Sequence, residues 1–469
     1  MSMPLSYQSL AADAGNIVDE IQKIVDEEVT NSSTPGASVS VIAEGRILAT
    51  VSSGFSDVEA ARKVTSETVF PVASLSKLIT ATLMMRQVEE NNIQLDNKAN
   101  DYLKPEFWIR DVSGQPTNAT IRQLLSHASG LPFPNSRQFD TRADGKAYTL
   151  EEFLSQGLKS THAPGQTVIY SNEGYALLGY IAAQAYGKDF EDYAQSALLK
   201  PLGMVNSSFQ IQPHMRENLA TLYGELFDDT ALATRVDISA VGPAASLHTT
   251  ADDLARFSLL FLRGGVLNGE RLLSQSTITE MLRLQSTIHP DQQDGFGLGF
   301  AVIGDPRRPL VGWSGYVPGA ISLQILLPNS GIGISILTNA ANPGILQTIS
   351  SRIIDLLLGP VKLPEPVVDE SLDQLESEYR LAEFPPIPVI SVEKSDGLLR
   401  LGSPFHDGSI TLYPLGSGRF WSPDLFGATV LSKNDRLYLH MFELQRVSPW
   451  GLAVRYSPTS EFLQWLFWH

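Results

Sequence analysis

The chain contains no cysteine. That absence removes disulfides, thiolate nucleophiles and cysteine-ligated zinc or iron–sulfur sites. It also lacks an uninterrupted apolar run of about 18 residues, the length a helix needs to cross a bilayer. Positive charge is scarce: 34 Lys and Arg face 51 Asp and Glu, for a formal net charge of −17. Such a surface repels phosphate backbones and anionic lipid, so neither nucleic acid nor membrane is an expected partner. The segment Met1 to Asn16 has neither the basic start nor the apolar centre of a secretory signal, and a cytoplasmic location is expected. No Gly-x-Ser-x-Gly nucleophile elbow occurs, since Gly312-Trp313-Ser314-Gly315 places its glycine one position early. Histidines at the metal-binding spacing H-E-x-x-H are absent, as is a glycine-rich phosphate loop. No metal and no cofactor are therefore expected.

What is present is a folded chain. Apolar residues make up 43% of its 469 positions and charged residues 18%, a globular balance. The length suggests two domains. Ile17, Ile21, Ile24 and Val25 recur at helical spacing, predicting an amphipathic helix over 12–28. Residues 37–43 and 47–52 read as a hairpin around Glu44-Gly45-Arg46. Residues 70–91 read as one long buried helix, and 120–203 as mainly helical. Thr250 followed by Asp252 and Asp253 opens a capped helix running to Leu262. Strand patterns follow at 295–303, 322–327 and 331–337, then a closing helix at 349–358. Strands at both ends with helices between them predict one sheet built from the two ends and a helical insert. Past Gly359-Pro360 the composition turns proline-rich and then to short strands, so the expected domains are 1–359 and 360–469, the second a small barrel or sandwich. Its aromatic tail, Phe462 to His469, needs apolar cover.

The chemistry centres on Ser74-Leu75-Ser76-Lys77 at the head of the expected buried helix. Residues i and i+3 share a helix face, so the lysine amine can reach the serine hydroxyl. A serine needs a base to become a nucleophile, and burial makes lysine one by lowering its pKa. Ser391 to Lys394 repeats the pattern, but on a strand, where i and i+3 point to opposite faces. Only the first copy is followed in order by Tyr170-Ser171-Asn172, on a loop edge before a helix, and by Gly312-Trp313-Ser314-Gly315, placed just before a strand. A tyrosine can relay a proton, and an asparagine can hold a lysine or a substrate amide, or simply cap its helix. His127 and His248 fall at a turn and before a helix, where structural roles are expected.

This ordered set resembles the serine β-lactamase and penicillin-binding-protein superfamily, specifically its class C-like esterase branch, from about Ile17 to Leu358. Further segments carry the resemblance: Leu124 to Pro132, Pro201 to Met204, Asp253 to Phe257, Gly297 to Gly299 and Leu337 to Asn339. The resemblance implies an α+β fold, an antiparallel sheet flanked by helices with a helical subdomain, followed by a small all-β C-terminal domain similar to a lipocalin-like barrel. It implies Ser74 as nucleophile, with Lys77 and Tyr170 moving its proton and Asn172 orienting Lys77 or substrate. The third segment, Trp313, Ser314, Gly315 and Tyr316, lies on an edge strand in such proteins. Backbone N–H groups, here of Ser74 and Tyr316, form the oxyanion hole. Where the family usually has Lys or His, this chain has Trp313, which cannot pair with a substrate carboxylate. The expected partner is a small ester, amide or acyl donor, and the expected activity carboxylesterase-like hydrolysis through an acyl-enzyme. An acyltransferase or peptide cyclase differs only in its acceptor. A single-turnover sensor stands as the reading from another class.

Overall fold

The computed structural model describes residues 14–32, 34–133, 146–224, 239–267, 269–365, 367, 372–381, 390–402, 409–425, 427–434, 436–440 and 442–446. The aromatic tail lies outside them. The chain forms two compact units, each assembled from three stretches. Met1–Ile79, Tyr186–Ile278 and Gly312–Val361 make the first, and Thr80–Ala185, Thr279–Val311 and Lys362–His469 the second.

The first unit is built on a sheet. Its strands are β1 (Gly36–Ala43), β2 (Arg46–Asp57), β3 (Arg62–Lys63), β4 (Leu310–Val317, from Gly312 in this unit), β5 (Ala320–Leu327) and β6 (Ile332–Thr338). They run in the order β4-β5-β6-β1-β2-β3, so the two ends of the sequence meet where β1 pairs antiparallel with β6. Glu44 and Gly45 both take positive φ, 53° and 68°, the two-residue turn that twists in step with a hairpin.

Alternate residues on a strand face opposite sides, and both sides of this sheet are covered. On one side Gln324, Ser335, Ser40 and Thr50 sit opposite one another on successive strands. Ser335 donates to the Gln324 side chain at 2.9 Å, and Gln324 donates to Ser258 at 2.6 Å. Ser40 and Thr50 share a hydrogen bond of 2.7 Å, and Thr50 donates to Asp252 at 3.3 Å. Ser258 and Asp252 belong to the helix Ala251–Leu262, whose Thr250 hydroxyl accepts from the Asp253 N–H as its cap. On the other side lie Val39, Val41, Leu323, Ile334 and Ile336, all buried. The helices Ala14–Asn31 and Pro343–Leu358 cover that face and are clamped together by Arg352 on Glu27 and Glu28, 2.6 Å each.

Three readings are corrected. The stretch 70–91 is not one helix: Phe70–Pro71 pairs with His248–Thr249, Ala73–Leu75 is a single 3₁₀ turn, and the α-helix is Ser76–Glu89. Pro71 offers no N–H to a helix, and Ala73 at φ 45° breaks helical geometry. The segment 295–303 is two short strands, Gly295–Phe296 and Ala301–Ile303, paired antiparallel. Gly312 to Gly315 lies inside β4 rather than before a strand.

In the second unit, Thr120 with Gln123 and Thr149 with Glu152 form capping boxes at two short helices. The helix Asn172–Tyr186 is buried over most of its length. The C-terminal strands close a barrel of eight, from Ser377–Leu381 to Phe442–Arg446, whose first and last strands pair Tyr379 with Arg446 and Leu381 with Leu444. Val392, Leu399, Leu401, Leu412, Phe420, Val430 and Leu437 fill it. Ser391 to Lys394 lies on one of its strands, as expected of the second copy, and Lys394 pairs with Asp373.

The barrel is tied to residues 289–305 of the same unit. One Asp294 oxygen accepts from the Thr429 N–H and hydroxyl at 2.6 and 2.7 Å, and the other from the Gly304 N–H. Asp305 accepts from the Trp421 indole at 2.8 Å and is paired with Arg307. Lys433 pairs with Asp291. His440 Nε2 lies 3.0 Å from the Gly295 carbonyl oxygen.

Candidate active site

Ser74 stands in the 3₁₀ turn that leads into the helix Ser76–Glu89. The chain before it is held on both edges. The Val72 N–H donates to the Leu247 carbonyl at 3.0 Å, and the Leu247 N–H donates back to the Ser76 hydroxyl at 2.9 Å. Between these anchors Ala73 adopts its left-handed φ of 45°, a conformation non-glycine residues take only when their surroundings impose it.

Lys77 Nζ lies 3.1 Å from Ser74 Oγ and donates to the Ala244 carbonyl at 2.8 Å. The lysine is 1% exposed and the serine 5%. Burial holds the Lys77 amine well below the ordinary lysine range, because a desolvated ammonium is costly. A neutral amine that gives one N–H to Ala244 keeps a lone pair able to take the serine proton. The i,i+3 spacing made this pair legible. The Ala244 carbonyl and the Ser76–Leu247 bond carry no sequence signal, since each joins residues far apart in the chain.

β4 lies beside the turn that carries Ser74. A Cβ on Gly315 would collide with the Val72 carbonyl oxygen, so only glycine permits this approach. From β5, the Ser322 hydroxyl donates to Val72 O at 3.0 Å. Ala73 packs with Val317 and Ala320, and Leu222 covers them. Ser74 and the backbone of Ser314, Gly315 and Tyr316 are thus neighbours in the first unit. Trp313 and Ser314 are each 5% exposed, and Tyr316 is half-buried.

Tyr170 and Asn172 belong to the second unit. Tyr170 is 2% exposed. Asn172 is the first residue of its helix, but Ser171 makes the cap, its hydroxyl accepting from the Gly174 N–H at 3.3 Å. The segment is held by His127, which the sequence presented as a turn residue. His127 has φ 57°, its carbonyl accepts from Ile169 N–H at 2.8 Å, and its Nδ1 accepts from Ser171 N–H at 3.2 Å. That acceptance places the imidazole proton on Nε2. The ring lies 4.8 Å from the Tyr170 ring and 5.0 Å from that of Tyr175. Tyr175 donates to the Leu125 carbonyl at 2.7 Å, and burial pushes its phenol up. His248 pairs in a strand with Pro71 and sets its Nδ1 3.0 Å from the Ser246 carbonyl, a structural placement.

Among the described residues there is no group of three or more His, Asp and Glu able to hold a metal ion, and no helix long and apolar enough to cross a membrane.

Comparison with known proteins shows the family and the fold. A family model described as beta-lactamase matches residues 21–356. Penicillin-binding protein 4 of Amycolatopsis lactamdurans is 30% identical over 348 residues, covering 72% of this chain and 89% of that protein. Protein flp of Staphylococcus aureus strain N315 is 25% identical over 341 residues, 72% of this chain and 66% of that protein. Among solved structures, the octameric penicillin-binding protein homologue from Pyrococcus abyssi shares the fold with a TM-score of 0.63 at 23% identity, over 91% of this chain and 99% of that one. D-amino acid amidase from Ochrobactrum anthropi SV3 does so with a TM-score of 0.60 at 23% identity, over 73% and 98%.

Proposed function

This chain belongs to the β-lactamase family, and from that premise we propose that it forms an acyl-enzyme on Ser74 and hydrolyses uncharged esters or amides. The observation that carries the reading is the buried Ser74–Lys77 pair at 3.1 Å, with its lysine desolvated. Lys77 takes the hydroxyl proton as Ser74 Oγ bonds to the substrate carbonyl carbon. The resulting oxyanion meets the backbone N–H groups of Ser74 and Tyr316. The proton then returns, through the relay that the family assigns to Lys77 and Tyr170, to the leaving oxygen or nitrogen. Asn172 orients lysine or substrate. Water attacks the acyl-serine and restores the enzyme.

The substrate class follows from Trp313. An indole offers one N–H and a broad apolar face where a cation would select a carboxylate. Ser314, Gly315 and Tyr316 supply the strand backbone along which substrate lies. We assign this chemistry to residues 1–359 and treat 360–469 as a separate barrel domain. Transfer to an alcohol or amine in place of water uses the same acyl-enzyme.

The test is turnover of p-nitrophenyl esters with mass spectrometry of the quenched protein. Wild type is expected to turn over and to carry the acyl mass on the peptide containing Ser74. Ser74→Ala is expected to lose the adduct and about 10³-fold or more of the rate. Wild-type turnover by Ser74→Ala would remove the nucleophile assignment. A stoichiometric adduct without turnover would replace hydrolysis by single-turnover sensing, and a product joined to added alcohol or amine would replace it by transfer.

A further inference from the structure

The C-terminal barrel reaches Tyr170 through a file of rings in edge-on and tilted contact inside the second unit. His440 sits in the turn between two barrel strands, 7% exposed, with its backbone held at φ 47°. The carbonyl of Gly295 can only accept, so His440 Nε2 carries the proton and donates to it at 3.0 Å. The Gln292 side chain donates to the His440 carbonyl at 3.3 Å, which fixes the turn from its other side. Burial holds His440 neutral, with its pKa pulled down to about 4.

The residue after Gly295 is Phe296. Its ring stands edge-on to His440, with centroids 5.1 Å apart and planes at 60°. The opposite contact of the same ring is His127, at 4.7 Å and 71°. His127 in turn lies 4.8 Å from Tyr170 and accepts from Ser171 N–H. The file is braced by backbone. The Phe296 N–H donates to Ser286 O at 2.9 Å, and the Phe296 carbonyl accepts from Gln285 and Ser286. The Ser286 hydroxyl donates to Ser126 O at 2.6 Å, one residue before His127. A Cβ at Gly295 would strike Ser286 O, so only glycine fits this close approach. All four rings are closely packed, and such rings resist independent displacement.

We propose that His440 is a positioning residue for Tyr170, acting through Phe296 and His127, so that the barrel sets the placement of a catalytic side chain of the neighbouring domain. The inference rests on the reading of Tyr170 as proton relay. His440 contributes two separable things: a hydrogen bond to Gly295 and a ring that backs Phe296. If the ring does the positioning, rate and stability will part company when one is removed at a time.

The experiment uses the full chain and p-nitrophenyl ester kinetics with thermal melting beside them. His440→Gln keeps a donor at about the reach of Nε2 and removes the ring. It is expected to melt near wild type while kcat falls by about tenfold with KM within about twofold, the signature of a displaced catalytic group. His440→Phe keeps a ring and removes the donor. It is expected to melt lower yet recover most of kcat. Tyr170→Phe alone, and combined with His440→Gln, completes a double-mutant cycle. The combination is expected to be no slower than Tyr170→Phe alone. If kcat follows melting temperature across the His440 variants, or if the two losses multiply, the positioning role is overturned while the Tyr170 reading stands. If Tyr170→Phe alone keeps full kcat, the relay reading itself falls and takes this inference with it.

Discussion

The role proposed for Lys77 as base rests on its being badly placed for a charge. Its amine is surrounded by the helix that carries it, the Ala244 carbonyl and the Ser74 hydroxyl, with 1% of the side chain exposed. The free amine is the form that accepts a proton, so the acid limb of kcat/KM is expected well below pH 10.5, the ordinary lysine value. A pH–rate profile checks this, and a limb near 10.5 would mean an ordinary solvated lysine. Stability carries the opposite sign. Below the unfolded pKa the unfolded chain binds a proton that the folded lysine refuses, so Lys77 costs stability at neutral pH, and the cost shrinks as pH rises toward that value. Lys77→Met is therefore expected to lose about 10²- to 10⁴-fold in kcat while melting higher at pH 7, an advantage that fades at alkaline pH. Gly315→Ala at the neighbouring strand is expected to lower both kcat and melting temperature, because its methyl group must displace the Val72 carbonyl that precedes Ala73 and Ser74.

At the scale of elements, what the sequence revealed was local and what it concealed was not. The Glu44-Gly45 turn, the Thr250 cap and the Ser74–Lys77 spacing are each decided within a few residues, and the structure contains all three. The strand at Phe70–Pro71 exists because His248–Thr249 lies alongside it, and no periodicity in 70–91 carries that partner. His127 looked like a turn residue because its turn is local, whereas the Ser171 N–H that it receives comes from 44 positions away. The barrel strands were legible as strands. Their closure, through Tyr379 on Arg446, depends on the two ends of the domain meeting. The turn bearing His440 also makes a measurable prediction. Its folded pKa of about 4 lies below the ordinary 6.5, so its neutral burial stabilises fully above about pH 6.5 and is lost as pH falls toward 4. Asp253, raised to about 6 by burial, acts in the opposite sense over an overlapping range. The contribution of His440 is thus read as the difference between wild type and His440→Gln melted from pH 7 to pH 4. The gap is expected to shift by up to about 3 kcal/mol in favour of the variant on acidification. A gap that stays constant would mean that His440 is not held neutral.

For the whole molecule, the family's catalytic fold is joined to a barrel whose attachment uses buried carboxylates rather than a linker alone. Asp294 accepts three hydrogen bonds, two of them from Thr429 in the barrel, and burial raises its carboxyl. Asp294→Ala leaves those donors without their acceptor. Denaturant unfolding is expected to show a loss of about 2–4 kcal/mol, from the polar groups stranded there. A loss under about 0.5 kcal/mol would mean that water replaces the carboxylate and that Asp294 is not what holds the barrel.

The pairing of Ala37 with Thr338 has a meaning in time as well as in space. During synthesis β1 and β2 leave the ribosome early, while the strand that completes their sheet is still about 300 residues from being made. At about 5–20 residues per second, that delay is on the order of 15–60 seconds. Throughout it, one edge of β1 is an open template of alternating Ser and Val, its backbone N–H and C=O groups on that side unpaired until β6 arrives. A nascent chain of this protein is therefore expected to gain from whatever shields unpaired strands, and its yield to depend on the speed of translation as well as on the stability of the finished sheet.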